Sequence, residues 1–287
     1  MSNDNAARLT GIPFAKMTGS GNDFVVFDSR HVDGPLITRP EVIRAICNRH
    51  NGIGADGIVL LEAKPAGADA RIHYFNSDGS AADLCGNATL CSTAMAVELR
   101  LGDAKALTLW TDAGLIHSRI LEGTPEIDLE AVTDIRPDTG IALGRGEERI
   151  GFALAGVPHL VVVCADVEAI DLPLRGAELR HHPTLGSAGA NVNFVARRSD
   201  GTWRYRTFER GVEGETLACG TGSIATGILL QSWGLAATPV TLWTSSGRPV
   251  VVTLRREPGV ALAFRPSLRG EGRVVFRGET GLILIAG

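Results

Sequence analysis

Cys85 and Cys219 stand in matching local contexts, Cys85-Gly86-Asn87 and Cys219-Gly220-Thr221, each leading into a run that reads as a buried helix. A thiol at a helix start meets unpaired backbone N–H groups and the positive end of the helix dipole, which lower its pKa from about 8.5. The glycine that follows lets a ligand approach the backbone without a side chain in the way, and the same N–H groups bind a carboxylate. Inverting a stereocentre by proton transfer needs a base on one face of the carbon and an acid on the other. Cysteine brought towards neutrality can serve as either. Two such helix starts confronting one α-carbon would also stabilise the charge that moves onto the neighbouring carboxylate as the proton leaves. This chemistry requires neither a metal nor a cofactor.

The elements that must position the thiols are a few buried helices among many short strands. Residues 88–101 and 222–233 are apolar on nearly all sides until their last turn, which predicts helices enclosed by their own domains. Each run stops near a glycine, Gly102 and Gly234. Residues 40–49 read as an ordinary amphipathic helix. Strand-like runs, rich in Val, Ile, Phe or Thr and bounded by turn residues, fall at 23–27, 58–61, 70–75, 107–110, 160–163, 192–195, 203–208, 240–243, 250–254 and 274–276. The approaches to the two helices are alike. Ile72-His73-Tyr74-Phe75-Asn76 precedes Cys85, and Tyr205-Arg206-Thr207-Phe208-Glu209 precedes Cys219. Asn22-Asp23-Phe24-Val25 has a looser echo in Asn191-Val192-Asn193-Phe194. One domain design used twice is expected, with a boundary near 125–140.

Composition narrows the function classes. Of 287 residues, 28 are Lys or Arg and 32 are Asp or Glu, a balance without the basic excess that nucleic acid attracts. With 44% apolar and 21% charged residues, a sizeable core is expected and disorder is not. No apolar stretch reaches the roughly 18 residues of a membrane-spanning helix, and the N-terminus does not read as a signal peptide. Five scattered cysteines do not form a secreted disulfide framework, so a reduced, cytoplasmic protein is expected. Without a Cys-x-x-Cys pair or His residues at ligand spacing, a zinc site is not expected. Cys47, Cys91 and Cys164 read as small buried apolar residues. His31, His50, His73 and His117 read as surface or packing residues, and His181-His182 as a loop pair.

The cysteine segments in full resemble the diaminopimelate epimerase family. The matching blocks are 16–27 (KMTGSGNDFVVF), 52–57 (GIGADG), 76–91 (NSDGSAADLCGNATLC), 156–159 (GVPH), 191–195 (NVNFV) and 209–222 (ERGVEGETLACGTG), in the family's order. The resemblance implies an α/β (α+β) fold of two pseudo-symmetric domains, each a bent, mostly antiparallel sheet around a central helix. They would span 1–130, joined by a returning strand at about 276–287, and 131–275, with the active site in the cleft between. It implies Cys85 and Cys219 as the acid–base pair acting without a cofactor. Gly86, Asn87, Gly220 and Thr221 would hold the α-carboxylate through backbone N–H groups. Asn22, Asn76, Asn191, Glu209 and Arg210 would contact the substrate's amino groups and far carboxylate, Arg210 through its bidentate guanidinium.

The partner implied is a small amino acid, and a homodimer is compatible with the resemblance. Three departures from the family pattern stand out: Leu90 in place of a usual arginine, Val157 in place of a usual asparagine, and one added residue within Val212-Glu213-Gly214. They leave open a racemase of the same fold acting on another amino acid. A non-catalytic amino-acid binder is the alternative from another class.

Overall fold

Apolar runs four or five residues long, with no polar interruption, build the centre of each half of this chain, and the reason is two-sided burial. In the computed structural model, which describes residues 9–281, the strands Pro13–Gly19 (β1), Asn22–Asp28 (β2), Gly57–Ala63 (β3) and Ala70–Asn76 (β4) come first. Phe24 to Phe27 of β2 and Gly57 to Leu61 of β3 are buried without a break. Successive side chains of a strand point to opposite faces. Val25, Phe27, Ile58 and Leu60 accordingly meet Val42, Ile43 and Ile46 of the helix Pro40–Cys47 (α1) on one side. On the other, Phe24, Val26, Val59 and Leu61 meet Ala88, Cys91 and Met95 of the helix Gly86–Glu98 (α2). Between and after these lie Ala81–Ala82 (β5), Leu107–Thr111 (β6), Gly114–Leu121 (β7) and Thr124–Asp128 (β8).

The same plan recurs downstream. Ile135–Arg136 (β9), Glu147–Ala155 (β10), Val157–Cys164 (β11), Asn191–Arg197 (β12), Trp203–Glu209 (β13) and Gly214–Thr216 (β14) lead to the helix Gly220–Ser232, and Val240–Trp243 (β15), Pro249–Arg256 (β16) and Phe264–Arg269 (β17) follow it. A helix at Leu172–Arg180 (α3) packs Leu172 and Leu179 against Leu160, Val162, Val192 and Phe194. We label Gly220–Ser232 α4. The final strand, Arg273–Glu279 (β18), pairs antiparallel with β1. Chain contacts divide the molecule into Met1–Ile127 with Gly270–Gly287, and Asp128–Arg269.

Strand pairing shows that the repeat extends well beyond the cysteine motifs. In the first unit β1–β2 is antiparallel, β2–β3 parallel, β3–β4 antiparallel, β4–β6 parallel and β6–β7 antiparallel. In the second, β10–β11, β11–β12, β12–β13, β13–β15 and β15–β16 repeat that sequence of orientations. Each sheet is mostly antiparallel and touches its helix from both ends: α2 contacts β1 through β4 and β7, and α4 contacts β10, β11, β12, β16 and β17. This enclosure explains why neither helix has a polar face.

Several boundaries differ from the sequence expectation. Both central helices start two residues earlier than their apolar runs, so each cysteine becomes the N-cap. Gly234 takes the left-handed conformation after α4, with φ 70°. After α2 that role falls to Arg100, φ 56°, and not to Gly102. Eight strands fall outside the expected runs: β1, β7, β8, β10 and β17 carry interspersed polar residues or begin with them, and β5, β9 and β14 are only two or three residues long. The returning strand lies at Arg273–Glu279, so only the first part of the expected 276–287 falls within it, and residues 282–287 lie outside the described residues.

Thr280 ties the two chain ends together. Its hydroxyl accepts from the Ile12 N–H at 2.9 Å and donates to the Leu9 carbonyl at 2.5 Å, in a buried setting. Thr280→Val keeps the shape and strands both groups. Urea denaturation is expected to show a loss of about 1–3 kcal/mol, the usual cost of leaving a buried backbone group unpaired.

Candidate functional site

The two thiols occupy one backbone geometry. Cys85 caps α2 with φ −129° and ψ 114°, and Cys219 caps α4 with φ −128° and ψ 115°. The first bonds inside the helices run from Thr89 N–H to Cys85 O and from Ser223 N–H to Cys219 O, both 2.9 Å. The N–H groups of Gly86, Asn87, Gly220 and Thr221 therefore lie ahead of the helix ladder, where an anion can take them up.

Around Cys85, which is partly exposed, the first unit arranges amides and a phenol. The Tyr74 hydroxyl lies against the Cys85 thiol and donates to Asn76 Oδ1 at 2.9 Å. Burial, and then the Cys85 charge, push the Tyr74 phenol well above its ordinary value. Asn76 also donates to Ser80 Oγ at 3.0 Å. Asn22 bridges two segments, donating to Asp56 Oδ2 at 3.0 Å and accepting from Asn87 Nδ2 at 2.7 Å. Asn87 Oδ1 is buried and has no hydrogen-bond partner among the described residues. Asp56 closes the Gly-Ile-Gly-Ala-Asp-Gly loop, which Arg49 braces by bonding both Asp23 and Asp56. Burial opposes the charge on Asp23, but hydrogen bonds from Arg49 and Lys16 hold its carboxyl at about 2.

Around Cys219 the second unit is more enclosed and more polar. The thiol is buried and hydrogen-bonds the Glu209 carboxylate; the Gly222 N–H and the Thr221 hydroxyl, 3.5 Å away, also reach the sulfur. Thr216 donates its hydroxyl to Glu209. The helix start was expected to lower the thiol's pKa. It does not do so here: burial, and then the Glu209 charge, push Cys219 well above the ordinary thiol value, outweighing the hydrogen bonds from Thr221 and Gly222. Burial likewise raises Glu209. Asn191, expected to touch substrate, spends its Oδ1 on the Arg210 N–H at 2.7 Å and so shapes the turn that presents Arg210. The Arg210 guanidinium forms no hydrogen bond or ion pair among the described residues.

The departures also find their places. Leu90 is fully buried in α2, and Val157 is half-buried at the head of β11. The added residue falls in the β13–β14 turn, where Glu213 sits at φ 54° and accepts from the Gly211 N–H at 3.0 Å. Cys47, Cys91 and Cys164 are buried, with thiols pushed up by burial, Cys47 and Cys164 to about 12. Tyr74 and Thr216 belong to these clusters, and behind Thr221 lie His159, 3.0 Å from its hydroxyl, and Asn193, 3.3 Å from His159; none of the four was singled out from sequence. The available signal was a His and an Asn inside otherwise apolar strands, since buried polar groups require partners.

With the geometry established, comparison with known proteins places the chain in two steps. Its fold is shared with a solved racemase and a solved epimerase. A probable proline racemase from Agrobacterium radiobacter superposes with TM-score 0.68 at 19% identity, covering 94% of this chain and 93% of that one. A hydroxyproline epimerase from Agrobacterium vitis superposes with TM-score 0.65, also at 19% identity, covering 94% and 92%. The profile of the diaminopimelate epimerase family matches residues 14–133 and 152–260. A diaminopimelate epimerase from Gemmatimonas aurantiaca is 60% identical over 274 residues, covering 93% of this chain and 98% of the relative. The chain belongs to the diaminopimelate epimerase family.

Proposed function

We propose that this protein is an isomerase that interconverts LL- and meso-diaminopimelate without a cofactor, with Cys85 and Cys219 as the acid–base pair. The observation that carries the reading is the duplication of one device: a cysteine N-cap of the same φ and ψ, followed by glycine, at the start of a fully enclosed helix in each unit. The 60% identical relative bears the name of that activity. One thiolate removes the α-proton and the other thiol delivers a proton to the opposite face. The N–H groups of Gly86, Asn87, Gly220 and Thr221 hold the α-carboxylate as negative charge develops on it. Asn22, Asn76, Asn191 and Glu209 organise the substrate's polar groups and the loops around them. Five free thiols fit a reducing cytoplasm as the setting. No helix among the described residues is long and apolar enough to cross a membrane.

Turnover in deuterated water tests this reading directly. Deuterium is expected at one α-carbon of diaminopimelate as the isomers interconvert, and exchange into a mono-carboxylic amino acid instead would reject the substrate. Binding with no α-proton exchange at all would reject the enzyme.

Arg210 is the proposed partner of the distal carboxylate. Its free guanidinium matches that group bidentately, so Arg210→Ala is expected to raise KM about 10- to 100-fold with a smaller effect on kcat, from the lost charged hydrogen bonds. Steady-state kinetics would check this, and an unchanged KM would remove Arg210 from the site.

A further inference from the structure

The second unit contains a buried polar chain at three positions of which the first unit, in the same strand register, has apolar residues. The chain begins at Asn193, which is fully buried. Its Nδ2 donates to the Leu160 carbonyl at 2.8 Å, and because a carbonyl can only accept, this contact sets which way the amide faces. The Tyr205 and Thr207 hydroxyls, at 2.8 and 3.0 Å, then donate to Oδ1. The remaining Nδ2 proton points at His159 Nδ1, 3.3 Å away.

His159 is fully enclosed, and burial, followed by the Arg210 charge, pushes its pKa down to about 3, so the ring is neutral and carries a single N–H. With Nδ1 accepting, that proton is on Nε2 and is donated to Thr221 Oγ1 at 3.0 Å. The Thr221 hydroxyl proton is then left for the Cys219 sulfur at 3.5 Å.

The register of the repeat shows what packing alone requires at these positions. Phe24 pairs with Gly57 as His159 pairs with Asn191, and Val59 pairs with Tyr74 as Asn193 pairs with Thr207. Ile72 stands opposite Leu61 as Tyr205 stands opposite Val195. Phe24, Val59 and Ile72 thus fill the places of His159, Asn193 and Tyr205 without any hydrogen bonding of side chains. Burying a His, an Asn and a Tyr instead costs desolvation that the fold does not need. The third helix residue differs in step: Ala88 in α2, but Gly222 in α4, where a Cβ would lie 2.3 Å from Asn193 Oδ1 and 2.5 Å from the Tyr205 oxygen.

We propose that Asn193 is a positioning residue for the chemistry at Cys219: it holds His159 in the Nε2–H tautomer and thereby commits the Thr221 hydroxyl to donate to the sulfur. The proposal rests on Cys219 being an acid–base group. The ionisable groups facing this thiol are Glu209, which takes the thiol's hydrogen bond, Tyr205, and His159 with Arg210 behind it. Thr221 thus supports the sulfur when its proton leaves.

The first test reads the unaltered protein. In 15N-histidine-labelled material the non-protonated nitrogen of His159, assigned by its loss in His159→Gln, is expected to be Nδ1; an Nδ1–H ring would overturn the proposal whether or not any variant folds. Asn193→Asp keeps the shape but puts an acceptor where the donor stood, moving the ring proton to Nδ1 and turning the Thr221 proton away from sulfur. The pH midpoint of Cys219 alkylation is expected to rise by about one unit and kcat to fall about tenfold, with KM unchanged, as for loss of one hydrogen bond to a charged group. In a Thr221→Val background the same substitution is expected to change neither quantity further. A full effect persisting there would mean that the new charge acts through space, and would overturn the relay. Tautomer and alkylation need no turnover, so a failure of the epimerase reading, seen as unimpaired epimerisation in Cys219→Ala, stays distinguishable.

Discussion

Alanine at either Cys85 or Cys219 is expected to abolish epimerisation, lowering kcat by roughly three orders of magnitude or more. A positioned acid or base alone contributes about 10²- to 10⁴-fold, and an inversion that moves the proton from one face to the other cannot proceed with one of the two groups missing. The substitutions should leave the fold intact. Alanine removes only a sulfur from each N-cap, and at Cys219 with it the contact from the Gly222 N–H. Chiral analysis of diaminopimelate after incubation with each purified variant is the measurement, with circular dichroism to confirm folding. Full activity in either variant would reject the two-thiol mechanism.

Glu209→Gln is expected to act in opposite directions on activity and stability. The carboxylate is the hydrogen-bond partner of the Cys219 thiol and the charge that raises it. Its loss should lower kcat about 10²-fold, the lower range for a group engaged in proton transfer. Removing that charge should also bring the thiol's titration down, so Cys219 is expected to alkylate faster with iodoacetamide at a fixed mildly alkaline pH. Stability should move the other way. Because burial raises the Glu209 pKa, the folded state binds this proton more tightly than the unfolded state does. The favourable contribution is complete below the ordinary carboxylate value and is lost as pH rises through the folded pKa. At neutral pH the native protein therefore carries an unfavourable buried charge that glutamine lacks. Thermal melts should show Glu209→Gln more stable than the unaltered protein at pH 7, with the difference shrinking towards pH 4. A variant equally or less stable at pH 7 would mean that the Thr216 and Cys219 hydrogen bonds outweigh the desolvation.

The pairing of these effects identifies what the enclosure of Cys219 does. A buried thiol beside a buried carboxylate is a poor base, since both would rather be neutral. Hydrogen bonds from Thr221 and Gly222 oppose that tendency. The N–H groups of Gly220 and Thr221, left outside the helix ladder, are the donors proposed for the substrate's α-carboxylate.

Much of this was legible in the residues themselves. The apolar runs at 88–101 and 222–233 carry no polar face, which only an enclosed helix tolerates, and the like approaches to Cys85 and Cys219 exposed the repeat. β2, β3 and β11 announce themselves because burial on both faces demands unbroken Val, Ile, Leu and Phe, a pattern that β12 keeps except at Asn193. Strands such as β7, with one face exposed, alternate with His, Ser and Arg and merge with their turns. β1 places Lys16 in the interior, where an ion pair to Asp23 at 2.8 Å replaces water, and local pattern alone does not announce such a partner.

By itself, the order of amino acids determined the two cysteine caps, the helices behind them and the doubling of the design, because these depend on neighbours along the chain: periodicity, a small residue after the cap, turn residues between strands. Tertiary structure alone decided the electrostatics. The rise of the Cys219 thiol, the neutral His159, and the amide of Asn193 that sets the ring's proton all arise from groups distant in sequence and enclosed together. Burial removes the water that would otherwise level their differences, and once it is gone the identity and direction of each remaining hydrogen bond set the charge a side chain can hold.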